Sequence, residues 1–327
     1  MSKKIIISSI GDPSVLKYVD YDLPDILPED HVRINQSSIG VNYIDTYHRS
    51  GVYPLPSKLP ICPGLEAAGE IIKLGSGVKN LYIGDKVCYA TVPLGAYCSI
   101  RDFPSSKIIK IPNYISTDIA ASVLLKGMTV EYLFERLYKI KRNEFLLFHA
   151  AAGGVGLIAS QWARSVGAKM IGTVSSNAKA ELAKHHGCEF VINYKKENVT
   201  EKVKEITDGK GVKVVYDGVG KDTFKNSLEC LDFRGLFVSF GQSSGMVASV
   251  DLHKTFNPKS LYFTRPTLMH YTSTRKELEE SSNLLFKKIQ NNEIKENIFQ
   301  TINLKDAAKA HELIESRQST GSIILKP

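Results

Sequence analysis

Apolar and turn residues divide the chain into differently patterned regions. From residue 3 to about residue 110, short apolar runs of strand type are separated by turn signals roughly every eight to twelve residues. This spacing is typical of an antiparallel β barrel or sandwich. The predicted strands here are 5–9, 16–20, 31–39, 69–74, 86–90 and 95–100.

The pattern becomes helical over residues 116–137, where Ser116 or Thr117 is a candidate N-cap. Strands and helices then alternate, which predicts a parallel sheet with helices on both faces. Its predicted strands are 145–149, 170–174, 190–193, 213–217, 236–240 and 261–264.

The tail predicts helices at 275–290 and 304–316 and a last strand at 322–326, which we expect to rejoin the first sheet. The sequence thus predicts an α/β protein in three parts. They are a β-rich domain at 1–125, a doubly wound parallel-sheet domain at 126–267 and a return segment at 268–327 that completes the first domain.

The glycine-rich turn after the strand at 145–149 has a dinucleotide-binding pattern. It reads Ala151-x-Gly153-x-x-Gly156, with Ala in place of the first glycine. Gly153 would let the backbone approach a pyrophosphate, Gly156 would let the helix pack on the strand, and free N–H groups would hold the negative charge. The alternative is a glycine-rich connection without a ligand. The candidate contacts are Gly153, Gly154, Val155 and Gly156.

The end of the next strand distinguishes the two dinucleotides. Enzymes for NAD usually place Asp or Glu there, whereas this chain has Ser175, Ser176 and Lys179, and no carboxylate before Glu181. Hydroxyls and a cation suit a 2′-phosphate, so the sequence predicts NADPH. Either serine could instead simply cap the helix predicted near Asn177.

Composition and charge exclude several classes of protein. With 43% hydrophobic and 23% charged residues in 327, the chain is globular. It shows no signal-peptide pattern and no apolar run of membrane-spanning length, and its five cysteines are scattered, which predicts a cytoplasmic protein with reduced thiols. The net charge of +8 is spread along the chain without a nucleic-acid-binding motif, so specific nucleic-acid binding is not expected.

Several motifs along essentially the whole chain resemble the medium-chain dehydrogenase/reductase superfamily, and within it the ζ-crystallin-like quinone oxidoreductases. They include Ile39-Gly-Val-Asn-Tyr-Ile-Asp-Thr-Tyr47, Pro63-Gly-Leu-Glu-Ala-Ala-Gly69, Leu125-Lys-Gly-Met-Thr129, Val238-Ser-Phe-Gly241 and Leu313-Ile-Glu-Ser-Arg317. The resemblance implies a GroES-like β-barrel domain plus a Rossmann domain. It also implies NADPH-dependent reduction of a quinone in the interdomain cleft, and a homodimer paired through the strand at 261–264.

The chain departs from the zinc-using members of this superfamily. They carry Cys where this chain has Asn42 and Gly-His-Glu where it has Gly64-Leu65-Glu66, and their four-cysteine lobe is absent. Zinc prefers thiolate, imidazole and carboxylate ligands in a tetrahedral array. The sequence therefore predicts no metal, and Cys62, Cys88 and Cys98 are interpreted as small buried residues.

The resemblance assigns the catalytic region to Asn42, Asp45 and Tyr47 near the nicotinamide, with Tyr53 on the substrate side. The tyrosines could instead be packing residues and Asp45 a turn or cap residue. Lys126 and Thr129 would contact the cofactor, and the Lys126 cation could stabilise developing negative charge. The alternative for Lys126 is an interdomain salt bridge.

Further cofactor contacts are implied for the arginines Arg265 and Arg317, the second of which would complete the 2′-phosphate site. The remaining implied contacts are Ser175, Lys179, Tyr194, Phe240, Gly241 and Ser243. Asp217, at a strand end, could face the cleft or cap the next turn. The alternative functions are an NADPH-dependent reductase of enone or alkenal double bonds and, in another class, a nucleotide- or RNA-binding protein without catalysis.

Overall fold

The computed structural model describes residues 2–327, which form two compact units. The first unit contains residues 2–128, 272–290 and 296–327, and the second contains residues 129–271 and 291–295. Along the described chain, no helix is both long and apolar enough to cross a membrane.

The first unit is a mainly antiparallel β structure. Its strands are β1 (Ser2–Ile6), β2 (Lys17–Tyr21), β3 (His31–Val41), β4 (Glu66–Leu74), β5 (Lys86–Ala90), β6 (Ile100–Pro104), β7 (Ile109–Lys110), β14 (Ile298–Asn303) and β15 (Ser322–Lys326). The larger sheet has the order β14-β15-β3-β4-β5-β7, with β6 also paired to β3, and β1 pairs with β2. Strand β15 runs antiparallel to β3, which confirms that the last strand rejoins the first sheet.

Four helices belong wholly or mainly to this unit: α1 (Tyr43–Ser50), α2 (Thr117–Glu131), α9 (Arg275–Gln290) and α10 (Ala307–Glu315). Helix α2 starts after Ser116, whose hydroxyl accepts a hydrogen bond from the Ile119 N–H, so Ser116 is its N-cap. A π-helical segment, Tyr132–Leu137, follows α2.

One local prediction for this unit was wrong, and two elements were not predicted. The predicted strand at 95–100 is replaced by β6, because Gly95 and Ala96 donate their N–H groups to the Gly64 carbonyl rather than to a strand ladder. Strand β14 was not predicted. Helix α1 was also missed within a region of strand pattern. It starts after Asn42, whose N–H donates to the Asp45 carboxylate, and it ends at Gly51 in the left-handed region.

The second unit is a parallel sheet with helices. Its strands are β8 (Phe145–Phe148), β9 (Lys169–Val174), β10 (Phe190–Asn193), β11 (Val212–Asp217), β12 (Leu231–Ser239) and β13 (Tyr262–Thr264). Their order is β10-β9-β8-β11-β12-β13, and every pair is parallel. The predicted doubly wound arrangement is thereby confirmed.

Its helices are α3 (Gly154–Val166), α4 (Asn177–His185), α5 (Val199–Ile206), α6 (Phe224–Cys230), α7 (Leu252–Phe256) and α8 (Leu268–Tyr271). Residues of the central strands, such as Leu147, Ile171 and Val215, are fully buried, as expected for strands covered on both faces. This strand order places β8 and β11 at the centre of the sheet, with β9 beside β8.

Candidate active site

A buried polar cluster in the first unit contains Asn42, Glu66 and Lys126. Glu66 Oε2 accepts a hydrogen bond from Asn42 Nδ2 at 2.7 Å and lies 3.5 Å from Lys126 Nζ, while Oε1 accepts from the Leu125 N–H at 2.7 Å. Glu66 is 0% and Lys126 is 5% exposed. The salt bridge of Lys126 therefore lies within the first unit, and it is not the interdomain bridge considered above.

Two atoms of this cluster have unused hydrogen-bonding capacity. Lys126 Nζ and Asn42 Oδ1 are buried, and neither has a hydrogen-bond partner among residues 2–327. Buried polar groups in proteins are nearly always satisfied, and exceptions concentrate at sites where a ligand completes the bonding. The cluster can therefore offer N–H donors of positive charge to an oxygen that gains negative charge.

A second buried chain begins at Asp45 and runs through Tyr97 and His311 to Arg49. The Tyr97 hydroxyl lies 3.0 Å from Asp45 Oδ2 and 3.0 Å from His311 Nε2, and His311 Nδ1 lies 3.1 Å from Arg49 Nη1. The Arg49 guanidinium also forms two bonds with the Glu315 carboxylate, at 2.7 and 2.9 Å. The chain thus joins α1 to α10 inside the first unit.

The direction of these hydrogen bonds follows from Arg49, which can only donate. His311 must accept at Nδ1, so its proton is on Nε2 and is donated to the Tyr97 oxygen. Tyr97 is then free to donate only to Asp45. Burial, together with the charge of Arg49, lowers the pKa of His311 to about 3, so the ring is neutral at pH 7.

Asp45 is completely buried, and its Oδ1 has no hydrogen-bond partner among the described residues. Burial raises the pKa of Asp45 to about 7, although hydrogen bonds from the Asn42 N–H and from Tyr97 oppose this effect. Among the more distant charges, Glu66 raises this pKa and Lys126 lowers it. The interpretation of Asp45 as a cap residue is correct, because its carboxylate accepts the Asn42 N–H at the start of α1. Its Oδ1 can accept a further hydrogen bond.

Three tyrosines on or just after helix α1, Tyr43, Tyr47 and Tyr53, form an aromatic cluster. The ring centroids of Tyr47 and Tyr53 are 5.0 Å apart, and those of Tyr43 and Tyr47 are 5.4 Å apart. Tyr47 is 8% exposed, so the packing interpretation accounts for most of its surface. His48, whose ring contacts Tyr53, has a buried Nδ1 without a hydrogen-bond partner in the described chain, and burial lowers its pKa.

In the second unit, the glycine-rich turn has the geometry of a phosphate site. Helix α3 starts after Gly153 without a side-chain cap, so the N–H groups of its first turn have no side-chain acceptor there. A Cβ on Gly153 would meet only the Ala150 carbonyl, at 3.3 Å, whereas a Cβ on Gly156 would overlap the carbonyls of Ala150 and Ala151. Gly156 is therefore required by the fold, whereas a Cβ at Gly153 would have one close contact and the backbone there stays accessible to a ligand only without it.

Residues at the ends of β9 and β10 lie side by side, because Val174 pairs with Asn193. Ser176 accepts a hydrogen bond from the Lys179 N–H, so the cap interpretation holds for Ser176. Burial, with the charge of nearby Lys195, lowers the pKa of Lys179. Two ammonium groups close enough to repel each other favour an anion between them.

The proximity of Lys195 to Lys179 adds one candidate residue to the predicted 2′-phosphate site. Ser175, Lys179 and Tyr194 were proposed from the sequence, whereas Lys195 was not. In the sequence, the only feature that indicated Lys195 was its position directly after Tyr194, close to the end of a strand. The side chain of Tyr194 is exposed, and its N–H donates to the Val174 carbonyl at 3.1 Å, which fixes the turn.

The turn after β12 contains Phe240, Gly241 and Ser243. The Phe240 N–H donates to the Asp217 carbonyl at 2.9 Å, and Arg265 donates to the Ser239 carbonyl at 2.8 Å. A Cβ on Gly241 would contact Gly218. These residues therefore lie at the carboxyl ends of β11, β12 and β13, the edge where open α/β sheets bind ligands.

Asp217 is a structural residue. Its Oδ1 accepts from the N–H groups of Val219 and Gly220, and its Oδ2 accepts from the hydroxyls of Thr223 and Ser227, all within 2.9 Å. The cap interpretation of Asp217 is therefore correct, since four donors occupy the carboxylate.

Thr129 lies on helix α2 and Arg317 lies just after helix α10. Thr129 is 7% exposed and lies one turn beyond Lys126 on α2. Arg317 is exposed, follows α10 and has φ of 59°, in the left-handed region. Their roles as cofactor contacts stay predictions.

The donor set around Glu66 does not suit zinc. One carboxylate, one amide and one ammonium lack the thiolate and imidazole ligands that zinc prefers. Among residues 2–327, no group of three or more His, Cys, Asp or Glu side chains is arranged to hold a metal ion.

Comparisons with known proteins cover both units. Residues 28–133 match the family described as alcohol dehydrogenase GroES-like domain, and residues 154–287 match the family described as zinc-binding dehydrogenase. Over the full length of both proteins, the chain is 50% identical to quinone oxidoreductase 1 of Escherichia coli. It is 43% identical to a 2-haloacrylate reductase of Burkholderia, over 90% of each protein.

The crystal structure of the Escherichia coli quinone oxidoreductase in complex with NADPH matches the fold with a TM-score of 0.97, covering 99% of this chain and 100% of that one at 50% identity. The fold is therefore a GroES-like domain with a Rossmann domain. The chain belongs to the quinone oxidoreductase family of the medium-chain dehydrogenase/reductase superfamily.

Proposed function

We propose that the protein catalyses the NADPH-dependent reduction of quinones without a zinc ion. The observation that carries this proposal is the Lys126 ammonium, which is buried beside Glu66 with unused N–H donors. The relatives named quinone oxidoreductase, at about 50% identity over the full chain, support the same reaction.

NADPH, when bound, supplies a hydride. The residues present suit this cofactor: α3 offers an N-terminus without a side-chain cap to the pyrophosphate, and Lys179 and Lys195 offer two cations to the 2′-phosphate. The 2′-phosphate of NADPH would place negative charge beside these two cations, whereas the adenosine ribose of NADH carries none there. This explains the predicted preference for NADPH over NADH.

The substrate oxygen becomes negatively charged as hydride arrives. Lys126 is fixed by Glu66 and can donate to that oxygen, while Asn42 is held by the same carboxylate and can orient a bound ring with its free Oδ1. Quinones are already electrophilic, so positioning and stabilisation of negative charge supply what the reaction needs. Tyr47 and Tyr53 offer aromatic surface for a flat substrate.

The test is to follow NADPH absorbance with a panel of small quinones, in parallel with NADH and with a simple enone, in the presence of a chelator. Rapid quinone-dependent oxidation of NADPH, much slower oxidation of NADH and no effect of the chelator are expected. If NADPH binds but no quinone or enone is reduced, the catalytic proposal fails and a non-catalytic nucleotide-binding role takes its place.

The second candidate is an NADPH-dependent reductase of a C=C bond conjugated to a carbonyl. The observation that favours it is the 43% identity to 2-haloacrylate reductase. Both reactions deliver hydride to a conjugated system and leave negative charge on oxygen, so Lys126 would serve either. Turnover of an enone without turnover of any quinone would select this second function.

We also propose that the protein forms a homodimer through β13. This strand is at the edge of the six-stranded sheet, and Tyr262 and Phe263 on it are 62% and 52% exposed. An unpaired apolar edge is a liability that pairing with a second copy removes. Sedimentation equilibrium should give a dimer, and Phe263→Asp should shift it towards monomer.

We also propose that the protein is located in the cytoplasm, as the sequence predicts. All five cysteines are free thiols, which fits a reducing compartment. Fractionation of cells that express the protein should recover it with cytoplasmic enzymes, and recovery from an extracytoplasmic fraction would contradict the assignment.

A further inference from the structure

Two cysteines of the first unit lie on neighbouring extended segments. The Tyr97 N–H donates to the Pro63 carbonyl at 3.0 Å, and the Cys62 thiol donates to the Tyr97 carbonyl at 3.4 Å. The Cys62 side chain therefore points towards the peptide that joins Tyr97 to Cys98.

Because Tyr97 is bonded to Pro63, Cys98 and Cys62 occupy neighbouring positions on the two segments, and the Cys62 thiol lies against the peptide that leads into Cys98. Gln36 Nε2 also donates to Cys98 Sγ at 3.3 Å. The neighbouring Cys62 thiol is the main cause that lowers the pKa of Cys98, the positive charges of Arg101 and Lys4 act in the same direction, and burial opposes them. The proximity of Cys98, together with burial, raises the pKa of Cys62.

The other three cysteines lack such a partner thiol. Cys88 and Cys188 donate to backbone carbonyls, and Cys230 lies 4.0 Å from a threonine hydroxyl. Burial raises the pKa of all three. Cys62, by contrast, is half-buried, so the pair is reached from solvent through Cys62.

We propose that Cys62 and Cys98 form an oxidisable pair that a hydroperoxide converts reversibly into a disulfide. The Cys98 thiolate attacks one oxygen of hydrogen peroxide, the O–O bond breaks, and the released hydroxide takes a proton to become water. The Cys62 thiol then attacks the resulting sulfenic sulfur, and the sulfenic oxygen leaves as a second water. Two thiols and one peroxide thus become one disulfide and two waters.

The position of the pair connects it to the buried polar chain described above. Gly64, two residues after Cys62, has φ of 94°, and a Cβ there would overlap the Tyr97 ring. Cys98 directly follows Tyr97, whose hydroxyl is bonded to Asp45. A disulfide would therefore tie together the two segments that hold Tyr97 in place.

The test treats the purified, reduced full-length protein with a small molar excess of hydrogen peroxide, followed by alkylation under denaturing conditions. The number of alkylated thiols should fall from five to three, the intact mass before alkylation should fall by about 2 Da, and dithiothreitol should reverse both changes. Peptide mapping should recover a fragment that links Cys62 to Cys98.

Cys62→Ser and Cys98→Ala should each prevent formation of the disulfide, and two variants are used because the Cys98 side chain is buried. Cys188→Ser, a buried cysteine of the second unit, is the matched control and should still form it. Absence of the linked fragment from the oxidised parent would overturn the proposal, as would loss of two thiols in Cys62→Ser at the parent's rate. None of these measurements depends on quinone turnover, so the proposed function is tested separately.

Discussion

The hydroxyl of Tyr97 lies 3.0 Å from Oδ2 of Asp45 and donates its proton to that carboxyl, although the two residues are 52 positions apart in the chain. The donor direction is imposed from the other end, where Arg49 fixes the tautomer of His311. Asp45 thus accepts this hydrogen bond at one oxygen. Its burial raises its pKa to about 7.

The first prediction concerns the pH dependence of stability. The ordinary pKa of Asp45 is 3.8 and its value in the folded protein is about 7, so between these values the folded state binds more protons than the unfolded state. The contribution of Asp45 to the free energy of unfolding is therefore present at low pH and is lost as the pH rises through 7. Asp45→Asn, measured by urea unfolding from pH 4 to 8, should gain stability relative to the parent over this range, by at most about 4 kcal/mol.

The pKa of His311 shifts in the opposite direction on folding, so its effect on stability should have the opposite pH dependence. Its pKa falls from 6.5 to about 3 on folding, so its contribution is present above pH 6.5 and is lost as the pH falls towards 3. His311→Gln should therefore gain stability relative to the parent as the pH falls. Parallel pH profiles for the two variants would contradict the assigned pKa directions.

The second prediction concerns Lys126. Lys126→Met removes the buried cation and should lower kcat for quinone reduction about a hundredfold, the usual effect of losing one donor to a developing oxyanion. It should also lower the free energy of unfolding by about 3 kcal/mol, because Glu66 stays buried without its counter-charge. Lys225→Met, at an exposed site, serves as the control. A stability loss with unchanged kcat would show that the ion pair is only structural.

The third prediction concerns cofactor choice. Lys179→Ala should raise KM for NADPH at least about tenfold, which corresponds to about 1.4 kcal/mol, and should leave KM for NADH nearly unchanged. Lys184→Ala is a matched control, since Lys184 is on the same helix but is exposed and paired with Glu181. Equal changes for both cofactors would argue against a 2′-phosphate contact.

The fourth prediction separates the two glycines of the nucleotide-binding turn. Gly156→Ala places a Cβ against the carbonyls of Ala150 and Ala151 and should lower the free energy of unfolding by about 2 kcal/mol. Gly153→Ala meets only one carbonyl, at 3.3 Å, so it should fold nearly as well and instead weaken NADPH binding. Thermal unfolding and fluorescence titration with NADPH measure the two effects. The reverse pattern would contradict the assigned roles.

The fifth prediction concerns oxidation and activity. A disulfide between Cys62 and Cys98 would constrain the segments that hold Tyr97, so peroxide treatment should lower the rate of quinone reduction several-fold. Dithiothreitol should restore the rate, and Cys62→Ser should keep its activity during the same treatment. Full activity in protein whose disulfide is complete would show that the bond does not affect the active site.

The sequence by itself determined the features that depend on near neighbours. The parallel strands, helix α9 and the N-caps Ser116 and Ser176 follow from hydrophobic spacing and from residues a few positions apart. The glycine-rich turn is equally local, because Gly153 and Gly156 act through the backbone of the same turn.

Only the tertiary structure decided which distant side chains share a buried site. Glu66 and Lys126 are polar residues in strongly apolar surroundings, and no local pattern pairs one with the other or with Asn42. Tyr97 and His311 are 214 positions apart, and each could be read from the sequence as an ordinary core residue. Periodicity reports which face of an element is buried, whereas a hydrogen bond between distant elements leaves no repeating pattern in the chain.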